Sequence, residues 1–177
     1  MSLEDALTIN GLLSTGPDPG LGDKLKLFGQ FVGDWDILED RFFKPDGTEE
    51  VQSGELHWGW ILGGKAVQDV WMYHDKETNR AVPAGTTVRF YDSETDAWHS
   101  VWITPEGNAV ITFVGHQVEN EIVLEGKDQE DTLLKWVFSD IKSDSFTWRG
   151  EESKDDGKTW VLTERMQIHR RPSQNRK

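Results

Sequence analysis

The sequence predicts an all-β protein: a closed antiparallel up-and-down barrel of about ten strands, with a short N-terminal helix. From Gly33 to residue 169 the apolar residues alternate with period two, as in strands that bury one face. Turn sequences such as Pro45-Asp46-Gly47 separate these segments at even spacing. No helical segment interrupts them, which argues against a parallel α/β sheet. Closure into a barrel also removes the edges that so many Trp-rich strands would expose.

The chain of 177 residues suits one domain, which we divide into three parts. Residues 1–20 form a flexible arm, residues 21–170 the barrel, and residues 171–177 a polar tail that frays. Apolar residues at helical spacing predict a helix over residues 21–32 that closes one barrel mouth.

The first strand begins in the stretch Gly33-Asp34-Trp35. Gly33 frees the backbone at the corner between helix and strand, and Trp35 is the large apolar plug around which the other strands pack. We expect Gly63-Gly64 to turn a hairpin, and residues 75–85 to form a polar connection. The predicted strands cover residues 34–43, 51–62, 65–74, 86–91, 97–104, 109–117, 122–124, 133–138, 146–152 and 159–169.

Composition excludes several classes of function. The formal net charge of -13 argues against nucleic-acid binding and against anionic membrane surfaces, and it favours solubility. The absence of cysteine excludes disulfides, thiolate chemistry and zinc held by Cys ligands. We see no secretory leader and no apolar stretch long enough to span a membrane, so a cytoplasmic location is the default expectation.

The chain has nine Trp but only two Tyr, and the aromatic residues crowd the middle strands. They form either an ordinary core or the wall of a pocket for a flat, apolar ligand. Trp71 and Trp102 are our first choices as lining residues, because they lie mid-strand. The full set of predicted ligand-binding residues is Trp58, Trp60, Trp71, Tyr73, Arg89, Tyr91 and Trp102.

Arg89 shares a strand face with Tyr91. If that face points inward, Arg89 is a buried cation that needs a carboxylate or an anionic ligand. If it points outward, Arg89 pairs with surface acids. One strand cannot decide between them, because a one-residue change in register reverses the answer.

The histidines give no readable metal motif, since none lies two or four residues from another. Neighbouring strands could bring His57, His99 and His116 together, but we predict no metal site. A hairpin could also place Asp69 beside His57 and make a general base, although alternation favours an outward His57. No catalytic nucleophile motif and no phosphate-binding loop is present.

A helix followed by Gly-x-Trp resembles the entry to the calycin superfamily, which includes the lipocalins. That resemblance implies an arginine near the chain end stacked over Trp35, and Arg165 is the first candidate, with Arg149 the second. Four landmarks between residues 25 and 169 are similar to a bacterial lipocalin-like family of unknown function. They are 31–35 (FVGDW), 60–65 (WILGGK), 91–92 (YD) and 155–160 (DDGKTW).

The outline is also similar to nitrobindin-type haem barrels, which implies a haem-binding His near the C-terminus. His169 is so placed, but the two glycines that follow Gly-x-Trp in that family are missing here. We therefore expect no cofactor.

The leading function is the binding of a small hydrophobic or aromatic molecule in a Trp-lined cavity. The alternatives are an enzyme with a His or carboxylate in the same cavity (an isomerase, cyclase or hydrolase), haem binding, or a filled barrel that acts through its acidic surface or as a homodimer.

Overall fold

The computed structural model describes residues 12–172, and these form a closed barrel of ten antiparallel strands. Each strand pairs with the next along the chain, and the last strand pairs with the first. The strands are β1 (Gly33–Phe43), β2 (Glu49–Ile61), β3 (Ala66–His74), β4 (Ala81–Asp92), β5 (Ala97–Thr104), β6 (Ala109–Val118), β7 (Glu121–Lys127), β8 (Leu133–Ser139), β9 (Ser145–Ser153) and β10 (Val161–Arg170). The predicted fold class is confirmed.

The helical segment is shorter than predicted. A 3-10 turn, Gly22–Leu25, runs into one turn of α-helix, α1 (Lys26–Gly29). Phe28 and Phe31 from this segment are fully buried in the end of the barrel. No helix among the described residues is long and apolar enough to cross a membrane.

Two local details differ from the predictions. Strand β4 begins at Ala81, within the stretch predicted as a connection. Pro83 is tolerated there because it pairs with Met72 at a register shift, where the regular hydrogen-bond ladder is already interrupted. The Gly63-Gly64 turn is part of a 3-10 turn, Leu62–Gly64, rather than a two-residue hairpin.

A bulge in β1 decides which of its residues face inward. The register shifts between Ile37 and Asp40 against β2, and between Ile37 and Glu39 against β10. Trp35 and Ile37 are buried before the bulge, and Asp40 is buried after it, while Leu38 is 57% exposed. Strict alternation would direct Glu39 inward. The bulge moves the inward-facing position by one residue, so that the side chain of Asp40 is buried there.

The described part of the predicted arm lies against the barrel. The Ser14 amide donates to the Trp60 carbonyl at 2.9 Å, and the Asp18 amide donates to the Gly64 carbonyl at 3.0 Å. In the predicted tail, Arg171 donates two hydrogen bonds to Asp36. The rest of the arm and tail, residues 1–11 and 173–177, lies outside the described residues.

Candidate functional site

One end of the barrel is closed by an aromatic plug. Trp35 is fully buried, and its indole N–H donates to the Phe31 carbonyl at 2.6 Å. The centre of the Phe31 ring lies 4.8 Å from the centre of the Phe146 ring and 5.3 Å from the centre of the Trp58 ring. The segment that follows α1 is thereby fixed to the strands, and the plug forms the floor of the barrel interior.

The arginine over Trp35 is Arg170, whereas the resemblance implied Arg165. The Arg170 guanidinium carbon lies 3.9 Å from the centre of the Trp35 ring. Arg165 is exposed, because it alternates with the inward residues Glu164 and Met166 on β10. Gly33 allows this arrangement: it has φ +128°, and a Cβ there would lie 2.9 Å from the Arg170 Nη1 atom.

Above the plug lies a cavity of about 260 Å³. Five tryptophans from five strands line it: Trp58, Trp71, Trp102, Trp136 and Trp148. The Trp102 ring packs edge-on to Trp136, and Trp136 edge-on to Trp148, with ring centres 5.8 and 5.3 Å apart. The walls are therefore broad aromatic surfaces that suit a flat ligand.

Arg89 lies inside the barrel, paired with Asp69. Both side chains are 3% exposed, and Arg89 Nη1 donates to Asp69 Oδ2. The guanidinium also lies over Trp58, 4.5 Å from the ring centre. Burial raises the pKa of Asp69, and the charge of Arg89 opposes that shift. The cation that the sequence left without a partner is thus neutralised within the protein.

Three N–H groups on the cavity wall have no hydrogen-bond partner among residues 12–172. They belong to the side chains of Trp58, Trp71 and Arg89. A buried donor without a partner is energetically unfavourable by about 1–3 kcal/mol.

A second acidic group lies further along β10. Glu164 lines the cavity, and Asp40 is completely buried beside it, with Asp40 Oδ2 accepting a hydrogen bond of 3.1 Å from Gln52. Burial raises the pKa of Asp40 to about 6. Burial, together with the charge of Asp40, raises the pKa of Glu164 well above its ordinary value. The pKa values of both carboxyl groups are therefore raised, and each group hinders ionisation of the other.

A second, more open space of about 1190 Å³, which we call the funnel, adjoins the cavity. Phe42 and Trp71 line both spaces. Gln52, which donates to Asp40, lines the funnel, and Glu164 lines the cavity. The carboxyl pair thus lies near the boundary between the two spaces.

The predicted binding residues fall into three places. Trp58, Trp71, Arg89 and Trp102 line the cavity. Tyr73 lies in the funnel. Trp60 and Tyr91 line a separate, open depression beside α1, outside the plug.

The sequence analysis missed Trp136, Trp148, Asp40 and Glu164. Alternation on β8 and β9 could have found the two tryptophans, since Trp136 and Phe138 share a face, as do Phe146 and Trp148. Glu164 lies on the same face of β10 as the apolar residues Met166 and Ile168. A charged residue on an apolar strand face could have been recognised from the sequence as a candidate interior acid.

His57 and Asp69 do not meet. Asp69 faces inward to Arg89, whereas His57 lies on the outer side and contacts Asp34 and Glu55, at 2.7 and 2.9 Å. Burial opposes ionisation of Glu55, but hydrogen bonds with His74, His57 and Arg171 lower its pKa to about 2. This cluster ties β1, β2 and β3 together on the barrel surface.

The histidine arrangement does not fit haem held inside the barrel. His169 is exposed on β10, and the cavity lining contains no histidine within the described range, 12–172. An axial ligand would have to come from the interior face, where His169 does not lie.

Comparisons with known proteins support the fold. No protein-family model matches the sequence, and no curated protein matches it. The S-type phycobiliprotein lyase CPES from Guillardia theta is a similar structure, with a TM-score of 0.58 and 13% identity over 84% of this chain and 92% of its own. Rv2717c from M. tuberculosis is similar with a TM-score of 0.60 and 12% identity, over 88% and 99%. At such identities the likeness establishes the fold alone, a closed antiparallel barrel of ten strands.

Proposed function

We propose that this barrel binds a small aromatic molecule in its tryptophan-lined cavity. The observation that carries the proposal is the cavity itself, with five indole rings around about 260 Å³. Typical ligand pockets measure about 300–1,000 Å³, so the ligand is small, of one or two fused rings. The likeness to a phycobiliprotein lyase supports a barrel that serves a small molecule.

The test is calorimetric titration with 2-naphthalenemethanol, a neutral bicyclic probe. We expect saturable binding by the wild-type protein. Leu56→Phe places a ring in the cavity and should weaken binding about tenfold or more, because protein atoms then occupy the ligand's space. Leu38→Phe adds the same ring on the exposed face of β1 and should leave affinity unchanged. Absence of binding, or equal loss in both variants, would contradict the proposal.

Native mass spectrometry of the protein as purified gives an independent reading. An adduct of a few hundred daltons, displaced by 2-naphthalenemethanol, would support an occupied cavity. An adduct that the probe leaves in place would count against the cavity as its site. The same spectrum reports the number of subunits, and a homodimer stays a prediction until then.

A second candidate function is acid–base catalysis in the same cavity. The observation that favours it is Glu164, a carboxyl group with a raised pKa on the cavity wall. Purification of Glu164→Gln from the same cells separates the two candidates. An enzyme variant would retain an unconverted adduct whose mass differs from that on the wild type, whereas a binding protein would carry either the same adduct or none.

A further inference from the structure

We propose that Glu164, with Asp40 behind it, is the polar anchor of the cavity, and that it selects aromatic ligands bearing a basic nitrogen. This inference rests on the proposed function and names the ligand class. It assigns the ligand's ring system to the tryptophans and its ammonium group to the carboxyl pair near the funnel.

The cavity and the residues directly behind it have more acidic side chains than basic ones. Arg89 is the cation on the cavity wall, and Asp69 already neutralises it. Asp40 and Glu164 have no such cation among the described residues: their side chains hydrogen-bond to each other, and Gln52, which donates to Asp40, is neutral. A buried carboxylate without a cation is unfavourable, so the site is completed by a positive group from outside the protein.

Glu164 lies on the cavity wall, where a bound ligand can contact it. Glu164 and Phe42 pair across β1 and β10, and both line the cavity where it meets the funnel. A ligand stacked between the tryptophans extends its substituent toward this carboxyl group. Arg89 and Asp69 lie on β4 and β3 of the same cavity, closer to the plug, with Arg89 packed over Trp58 and Phe28.

The charges around the funnel favour a cation. The funnel lining has four acidic side chains, Glu50, Glu106, Glu152 and Asp155, and two lysines, Lys44 and Lys154. The whole chain carries a formal charge of -13. Both features attract a cationic ligand and repel an anionic one during approach.

Binding by this route releases a proton. Burial and the charge of Asp40 raise the pKa of Glu164, so the free protein favours a proton on Glu164 more than an exposed glutamate would. When an alkylammonium group donates its N–H bonds to Glu164, the carboxylate form is favoured and the proton leaves to the buffer. The charged or titratable groups around Glu164 are Asp40 on β1 and, on the same cavity lining, Asp69 and Arg89, while Glu152 on β9 lines the funnel. Gln52 on β2 is neutral and holds Asp40 in place.

The test compares three probes of one shape at pH 7: 2-naphthylmethylamine as its ammonium ion, 2-naphthalenemethanol, and 2-naphthoate. We expect the ammonium ion to bind about tenfold or more tightly than the alcohol, and naphthoate to bind most weakly. Titrations in buffers of different ionisation enthalpy should show proton release with the ammonium ion and none with the alcohol.

Three variants test which acidic residue causes the preference for the ammonium ion. Glu164→Gln should reduce the affinity for the ammonium ion to that of the same variant for the alcohol, and it should abolish proton release. Glu106→Gln removes one charge from an exposed funnel residue and should keep the ammonium preference. Asp40→Asn should also keep the preference but release less proton, because Glu164 is then more acidic. Circular dichroism checks that each variant is folded.

The outcomes separate the two proposals. If no probe binds the wild type, the proposed function itself fails. If the alcohol binds and the ammonium ion binds no better, only the anchor fails. Tightest binding of naphthoate would overturn the anchor in favour of Arg89.

Discussion

At the scale of single residues, Arg170 joins three parts of the chain. Its guanidinium lies on the Trp35 ring and donates to the carbonyls of Ser143, Val32 and Gln30, at 2.8, 2.9 and 2.6 Å. Two of those carbonyls belong to the segment that leaves α1. A single side chain therefore holds both the plug and the β8–β9 connection to the end of β10.

We expect Arg170→Ala to lower the free energy of unfolding by about 2–3 kcal/mol, because charged hydrogen bonds and a cation–π contact are lost together. Urea denaturation measures this. Arg165→Ala is the matched control on the same strand, and its exposed side chain predicts a change within about 0.5 kcal/mol. Equal losses in the two variants would show that the contacts of Arg170 are not what stabilises the plug.

The carboxyl pair predicts an unusual pH dependence. Both pKa values are raised in the folded protein, that of Asp40 to about 6, so the unfolded chain gives up these protons more readily. The stability due to these raised pKa values is fully present at low pH. It is lost as pH rises above about 4 and through the folded pKa values, at up to about 1.4 kcal/mol per pH unit for each proton.

We therefore expect the wild type to lose stability relative to Asp40→Asn/Glu164→Gln as pH rises from about 4 to 7. Urea denaturation at several pH values measures the difference. The Glu106→Gln control should follow the wild-type curve. Parallel curves for the wild type and the double variant would mean that the pair titrates normally.

At the scale of elements, β4 and β5 position one wall of the cavity through a close approach. A Cβ at Gly85 on β4 would collide with the ring of Trp102 on β5. Only glycine leaves room for the indole to lie against the neighbouring strand. The backbone of β4 thereby sets how far Trp102 projects into the cavity.

Gly85→Ala should push the Trp102 ring inward and reduce the cavity. We expect weaker binding of 2-naphthalenemethanol, with a loss of stability of about 1–3 kcal/mol from overpacking. Calorimetric titration and urea denaturation test the two effects separately. Gly59→Ala is the control, since a Cβ on that β2 glycine meets no atom within 4 Å. Unchanged affinity in Gly85→Ala would show that Trp102 does not limit the ligand space.

Strand periodicity predicted much of the fold and less of the site. It placed Trp58, Trp71 and Trp102 on faces that prove to line the cavity. It could not place Asp40, because the β1 bulge moves the inward position by one residue, and no pattern in the sequence marks that shift. The partner of Arg89 was equally hidden, since Asp69 meets it only through the β3–β4 register.

At the scale of the whole molecule, the net charge of the sequence does not indicate where its acidic residues lie in the barrel. The net charge of -13 argues against nucleic-acid binding, and that stays a prediction; it did not indicate that one acidic pair lies inside the barrel. The barrel is closed by the pairing of β1 with β10 and plugged at one end, and the pair lies on the side of the cavity that adjoins the funnel. The formal charge of a sequence does not distinguish surface acids from interior ones.

The most direct measurement is a ¹H–¹⁵N spectrum of the indole N–H groups during titration with 2-naphthalenemethanol. The nine tryptophans give nine signals, assigned by single Trp→Phe variants. We expect the signals of Trp58, Trp71, Trp102, Trp136 and Trp148 to shift, and those of Trp35 in the plug and Trp160 outside the cavity to stay in place. Shifts confined to Trp60 and Trp160, or no shifts at saturating probe, would contradict a ligand site inside the barrel.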